Sequence, residues 1–420
     1  MTAVVGILNK QAIAIAADSA VTIGGSHGRK IFNQANKVFT LSKKHPVAVI
    51  IYNSATFMNT PWETIIKVYR NQLKDTSFGT LAEYQGDFIQ FLRKKNFYTN
   101  DETQTNYLFD FVSSILQTLI NDVSKNDTGA NNLKDEILLK ITEEINLRIQ
   151  GWTSLNDFCV EFEDYDYQEF IEYSSIIFDN QLILKEYNFN SDLLEKFKRL
   201  IFLILKSKED QTNYTGLVFC GFGENEIYPQ LLPINISMVI NNRLRYYFDI
   251  EKSASVTNEV EGFIRPFAQT DVINTILCGI DPYLDYIYQN NFLKLFKDYN
   301  EIVLENIGNA DPLLKEKIRN LNLGIIVNEF NLLNEKVRMQ NYITPLMNAV
   351  CNLSKEDLAE MAESLIYLTY LKRRITFAEE SVGGPIDVAI ISKGDGFIWI
   401  KRKHYFKPEL NNHFLENYFN

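Results

Sequence analysis

Thr2-Ala-Val-Val-Gly-Ile-Leu8, a polar turn at Asn9-Lys10-Gln11, and Ala12-Ile-Ala-Ile-Ala-Ala17 closed by Asp18 decide how this chain begins. Two apolar, partly β-branched runs separated by three polar residues predict a β-hairpin. The runs are nearly continuous in apolar residues. Strands of that kind are covered on both faces, as in a layered structure. Asp18 then places an ionisable group where an apolar hairpin ends, and such a group needs a partner.

Outward from this hairpin the pattern repeats. A glycine-rich break is expected over Thr22-Ile-Gly-Gly25 and Ser26-His-Gly28, and strands over Val38–Leu41 and Val47–Tyr52. Thr60-Pro61-Trp62-Glu63 predicts a helix start with Thr60 as cap and Glu63 completing a capping box. Thr80 and Glu83 open a second helix in the same way. From about Lys95 to Asp210 the spacing is helical, with periodic runs at Leu108–Val123, Leu133–Ile149, Gln168–Phe178 and Leu193–Lys206. Strands return at Gly216–Phe222, Ile227–Leu232, Ile234–Ile240 and Leu244–Ile250. A second helical block follows from about Thr270 to Leu371, its last helix capped by Ser354 and Asp357. Ile386–Ser392 and Phe397–Lys401 close the chain as a hairpin. Strands, helices, strands, helices, strands is not βαβ alternation. It suits antiparallel sheets stacked with helical layers, an α+β fold.

The chain has 420 residues, 42 Lys and Arg against 53 Asp and Glu, and a net charge of −11. An acidic balance argues against a general nucleic-acid binder, which needs a basic face. The four cysteines are scattered with no CxxC pair, and the four histidines are scattered too, so neither a disulfide framework nor a metal site is expected, nor any cofactor. No apolar run reaches membrane-spanning length, and the N-terminus lacks the basic leader of a signal peptide. A cytoplasmic protein without membrane or nucleic-acid partners is the expectation.

Chemistry is offered by the first residues. If Met1 is removed, Thr2 carries a hydroxyl nucleophile and a free α-amine on one residue. An α-amine titrates at about 7.7–8.0, so it can take the proton of its own hydroxyl near neutral pH. A nearby cation lowers such a pKa and a carboxylate orients the cation. Asp18 and Lys37 are the candidates for those two tasks, with Lys30 a rival for the second.

These residues resemble a family. Thr2-Ala-Val-Val-Gly-Ile-Leu8, Ile15-Ala-Ala-Asp18-Ser-Ala-Val-Thr22 and Asn36-Lys37-Val38-Phe39 are similar to the start of proteasome β-subunits and of the bacterial HslV peptidase, which are N-terminal-nucleophile (Ntn) threonine hydrolases. Val47–Tyr52 followed by Asn53-Ser54-Ala55, Gly216–Phe222, Pro266–Asp271 and Ser381–Ser392 follow in the family's order. The resemblance implies a four-layer αββα sandwich. It implies Thr2 as nucleophile, with Asp18 and Lys37 tuning its amine. The backbone N–H of Asn53 or Ser54 would form the oxyanion hole, where the family has glycine. Glu379 would stand in for a supporting carboxylate. Where the family has supporting serines this chain has Gln269 or Thr270, and Val382, which leaves room for a changed mechanism.

The implied organisation is a hydrolase core in three parts, 1–94, 213–281 and 351–420 with its tail, interrupted by helical insertions at 95–212 and 282–350. The implied activity is cleavage of amide bonds in peptides or unfolded protein. The alternatives are a catalytically inactive scaffold or regulator, and an amidase acting on a small molecule. The family further implies a homo-oligomer. A separate ATPase or regulatory partner would be a different chain, since no phosphate-binding GxxxxGK[ST] loop occurs here.

Overall fold

The computed structural model describes residues 2–25, 28–32, 34–125, 134–155, 157–180, 189–209, 214–307, 312–376, 382–404, 406–407 and 410–411. The chain opens with strands β1 Ala3–Asn9, β2 Ala12–Ala17, β3 Val21–Gly25, β4 Gly28–Phe32, β5 Val38–Thr40 and β6 Val47–Asn53. Helices α1 Trp62–Leu73, α2 Leu81–Lys94, α3 Asp101–Lys125, α4 Lys134–Thr153, α5 Tyr167–Asn180 and α6 Ser191–Lys206 follow. Next come β7 Thr215–Gly221, β8 Gln230–Ile240, β9 Arg243–Phe248 and β10 Gly262–Ala268. The second helical run is α7 Asp271–Cys278, α8 Pro282–Asn306, α9 Pro312–Arg319, α10 Gly324–Arg338, α11 Thr344–Asn352 and α12 Lys355–Ile375. The hairpin β11 Asp387–Ser392 and β12 Gly396–Lys401 is the last regular structure among the described residues. The fold is thus a mixture of helix and antiparallel sheet. Among the described residues no helix is long and apolar enough to cross a membrane.

The chain divides into two compact units. The first comprises residues 1–35, 227–229 and 254–420. Its sheet runs β10-β1-β2-β11-β12, every neighbouring pair antiparallel. The alternation in Ala12-Ile-Ala-Ile-Ala-Ala17 has a clear use here. Ala12, Ala14 and Ala16 share a core with Leu358, Ala359, Ala362 and Ile366 of α12. Methyl groups on one face of the strand let the helix backbone approach closely. Ile13 and Ile15, on the other face, are equally buried, so β2 is covered on both sides as its apolar run predicts.

The second unit comprises residues 36–226 and 230–253. Its strands run β9-β8-β7-β6-β5, again antiparallel. Trp62, Tyr69, Phe88 and Phe91 from α1 and α2 share one core with Val47, Val49 and Ile51 of β6 and with Phe219 of β7. Leu108, Leu116, Phe197 and Leu205 of the following helices belong to the same core.

Among the described residues the expected helical runs fall in α3, α4, α5 and α6, with Leu133 outside the described residues, and the capping boxes at Thr80–Glu83 and Ser354–Asp357 are both formed. Four local expectations are corrected. Thr60 does not cap α1, because Thr60–Pro61 pairs with Thr56–Phe57 and the helix starts behind Pro61, which has no side-chain cap bond. Glu63 instead bonds Asn36 and Lys67. Of the expected glycine-rich break, residues 22–25 and 28 instead belong to the paired strands β3 and β4, and residues 26 and 27 lie outside the described residues.

Ile227–Leu232 and Ile234–Ile240 are not two strands, since β8 passes through Pro233 from Gln230. The Pro233 carbonyl accepts from Asp249 N on the β9 side, and β9 pairing begins only at Ile234. The missing N–H therefore falls beyond that ladder, where no bond is lost. Finally, Gly262–Ala268 is a strand that the sequence pattern did not reveal. It lies at the sheet edge, which is where a strand containing Pro266 can lie.

Candidate functional site

Thr2 stands just before β1 and is 2% exposed. The β1–β10 ladder brings the end of β10 against it, pairing Ala3 with Ala268, and Gln269 N donates to the Thr2 carbonyl at 3.1 Å. Ala268 has φ +64°, a left-handed conformation that costs an alanine about 1–2 kcal/mol. The chain therefore bends sharply where it passes the Thr2 backbone.

Asp18, directly after β2, is 1% exposed. One carboxylate oxygen accepts from Ala3 N at 2.9 Å, and the other accepts from Ala20 N at 3.1 Å and Gly383 N at 3.0 Å. Three backbone donors are what an ionised carboxylate requires when water is excluded. The Asp18 N–H returns a bond to the Ala3 carbonyl at 3.1 Å. Asp18 thus ties the residue next to Thr2 to the segment before β11. The adjacent Ser19 reinforces this, its N–H donating to the Gly383 carbonyl at 3.0 Å and its hydroxyl to the Pro385 carbonyl. Gly384 has φ +75°, which explains a glycine at that position. Asp387, in register with Ala17, is held in turn by the Lys403 backbone N–H at 2.8 Å and by its ammonium.

Lys37, Asn53 and Ser54 belong to the second unit. Lys37 precedes β5 and is 3% exposed, with its carbonyl accepting from Ile51 N at 2.8 Å. Burial of an ammonium is costly without a charged or polar partner, so this is not a solvated surface lysine. Asn53 closes β6 with φ +67°. Asparagine and glycine are the residues that adopt this region readily, which accounts for asparagine at a position where glycine is the common solution. The Ser54 carbonyl accepts from the Thr215 hydroxyl at 3.1 Å, and that hydroxyl accepts from the buried Trp62 indole at 2.9 Å. The Tyr52 phenol donates to Asn235 at 3.0 Å, and burial pushes its pKa well up. A Cβ on Gly216 would come 2.0 Å from the Tyr52 ring, so the glycine makes room for that tyrosine.

Within the first unit, Thr2, Asp18 and the Gly383 backbone come together. Within the second, the Lys37 backbone and the β6 end share one strand pair. Glu379 and Met1 lie outside the described residues. Val382 is buried at 2% exposure and brings no hydrogen-bonding side chain to the segment before Gly383.

One group escaped the sequence reading. Arg373, from the last turn of α12, bonds the Gln269 side-chain oxygen and Asp271, and Lys372 bonds Asp271 at 2.9 Å and Asp281 at 2.8 Å. The hydrogen bond from Lys372 holds the Asp281 carboxyl below its usual range. The signal in the sequence, Lys372-Arg373-Arg374 at a helix C-terminus, reads equally well as charges complementing a helix dipole. Among the described residues no group of three or more His, Cys, Asp or Glu side chains could hold a metal ion.

No family model and no curated protein matches this chain. Among solved structures, the Anbu (Gly-1) mutant from Hyphomicrobium sp. strain MC1 is similar over 99% of this chain and 94% of its own, at 10% identity and a TM-score of 0.24. Anbu, an ancestral beta-subunit, from Yersinia bercovieri is similar over 99% of this chain and 93% of its own, at the same identity and TM-score. A superposition of that quality carries no argument about fold or activity, so the functional reading rests on the residues.

Proposed function

We propose that this chain is a threonine-type Ntn hydrolase that cleaves peptide bonds. In this reading Met1 is removed and the Thr2 hydroxyl oxygen attacks the substrate carbonyl carbon. The Thr2 α-amine takes the hydroxyl proton and passes it to the leaving amine as the peptide bond breaks. Lys37 supplies the cation that keeps the amine unprotonated, Asp18 orients that end of the site, and Glu379 adds a supporting carboxylate. The Asn53 or Ser54 N–H stabilises the oxyanion, and water then hydrolyses the acyl ester on Thr2. No cofactor takes part. The proposed architecture is the four-layer αββα sandwich, with residues 95–212 and 282–350 as helical insertions in it. The substrate is a peptide or unfolded protein segment.

The observation that carries the reading is the Asp18 carboxylate, buried and bonded to the backbone of Ala3 beside the candidate nucleophile. Intact mass and peptide hydrolysis test it. The mature protein should lack Met1, and Thr2→Ala should abolish turnover while leaving unfolding unchanged. Retention of Met1 together with full activity of Thr2→Ala refutes the mechanism.

A second reading is a catalytically silent relative acting as a scaffold. Buried Val382 and the engagement of Gln269 by Arg373 favour it, because both lie where the resemblance expects serine hydroxyls. A covalent probe directed at N-terminal threonine separates the two: labelling of the native protein at Thr2 supports the enzyme, and its absence supports the scaffold.

A further inference from the structure

We propose that Arg373 is a positioning residue for Thr2, acting through Gln269 and the turn that this glutamine occupies. The proposal rests on the hydrolase reading above and adds a residue outside those the resemblance implies. Arg373 lies in the last turn of α12. Its Nη2 donates to two acceptors at once, the Gln269 side-chain oxygen and Asp271 Oδ1. Gln269 in turn donates its backbone N–H to the Thr2 carbonyl at 3.1 Å. A single residue therefore separates the guanidinium from the backbone of the candidate nucleophile.

The turn between them is strained and held. Ala268, directly before Gln269, has φ +64°. A residue other than glycine stays in that region only where its surroundings over-determine it. On one side the strand ladder pairs Ala268 with Ala3. On the other, Asp271 opens α7 with one oxygen on Arg373 and the second on Lys372 at 2.9 Å. Lys372 continues to Asp281 Oδ2 at 2.8 Å, and Asp281 Oδ1 caps α8 through Tyr283 N at 2.9 Å. Alternating charges thus join the starts of α7 and α8 to the end of α12, with Gln269 at the end of the chain of contacts nearest Thr2. The base is packed: Leu358, Ala362 and Ile366 of α12 and Ile273 of α7 share a core with Ala3 and Val5 of β1.

Stability alone does not account for this arginine. Basic residues at a helix C-terminus complement its dipole wherever they point, and partly exposed ion pairs contribute little. Neither effect requires a bond to a neutral glutamine. The Arg373 Nε is moreover buried without a hydrogen-bond partner, an unmet donor that an apolar side chain would not have. What the placement secures is Gln269. Both polar groups of the Thr2–Ala3 peptide are then engaged, the carbonyl by Gln269 N and the N–H by Asp18. The plane from which the Thr2 hydroxyl and α-amine project is fixed on both sides. Misplacing a reacting group by about 1 Å lowers a rate on the order of 100-fold, so a fixed plane has catalytic consequences.

The test is steady-state peptide hydrolysis by the mature full chain. Arg373→Gln should lower kcat by about 10–100-fold and leave KM within about twofold, the pattern of misplacement rather than of lost binding. Arg373→Lys keeps the charge but not the planar fork, and should recover no more than about threefold of that loss. Gln269→Ala should lower kcat to a similar extent. The double variant should be no slower than Arg373→Gln, because two residues acting along one path are not additive. Hydrogen exchange adds a readout independent of turnover. The backbone over 266–272 should exchange about tenfold faster in Arg373→Gln, with far-UV circular dichroism unchanged.

Full recovery of kcat by Arg373→Lys would make charge alone responsible and overturns the positioning role. Additive losses in the double variant overturn the path through Gln269, and unchanged exchange over 266–272 overturns the anchoring of the turn. An unaltered protein that neither hydrolyses peptide nor takes the threonine-directed probe fails the hydrolase reading itself, and Arg373 then positions no nucleophile.

Discussion

Replacing Asp18 by asparagine tests the centre of the structural argument. The aspartate accepts three backbone N–H bonds, from Ala3, Ala20 and Gly383, at 2.9–3.1 Å in a site that is 1% exposed. Asparagine has one oxygen. Its best orientation keeps that oxygen on Ala20 and Gly383 and turns the amide nitrogen toward Ala3, so two donors face each other. One hydrogen bond to a charged acceptor, worth ~1.5–3 kcal/mol, is lost, and a buried N–H is left unmet. Removing the buried charge gives back part of its desolvation cost, but a charge already met by three donors has little of that cost outstanding.

The net expectation is a local destabilisation of about 3 kcal/mol, or roughly 100-fold faster amide exchange through local opening. Hydrogen exchange mass spectrometry reads it in the peptides containing Ala3 and Gly383. Peptides from the second unit serve as the internal control. Unchanged exchange at both ends of the Asp18 bridge would refute the reasoning, since the carboxylate would then not be the tie between β1 and the segment before β11. Exchange raised uniformly in both units would show a global effect rather than this bridge.

Three further outcomes are expected. Thr215→Val strands the buried Trp62 indole N–H and releases the Ser54 carbonyl, so the unfolding free energy from urea titrations followed by tryptophan fluorescence should fall by about 1–3 kcal/mol. Asp281, whose carboxyl is held below its ordinary pKa by Lys372, contributes stability that is present at neutral pH. That contribution is lost as pH falls below about 4 and through the lowered value, so Asp281→Asn should flatten the wild-type stability loss in that window, seen in urea midpoints at each pH. Cys220 is fully buried and burial pushes its thiol well up, so it should resist thiol reagents in the native protein and react only on unfolding. Rapid native labelling at Cys220 would contradict the packing of β7.

What could be read without coordinates is what local chemistry decides. The β1–β2 hairpin follows from two apolar runs around a polar turn, and α2 and α12 follow from capping boxes whose partners lie three residues apart. Asp18 could be singled out because a carboxylate ending an apolar strand must find donors.

Which donors it finds was not legible, for Gly383 lies 365 residues further on and only the β2–β11 ladder brings it back. The same holds for the Arg373–Gln269–Asp271 network, made by helix packing and invisible in a basic helix end. Pro233 inside a central strand and Pro266 inside β10 are allowed by which edge of the ladder their missing N–H meets, a property of strand order and not of the residue. Leu284, Tyr288, Leu295, Tyr299 and Ile302 of α8 are written in the sequence as helical spacing. That they meet water was decided by the fold, because periodicity says which residues share a face and says nothing of what covers it.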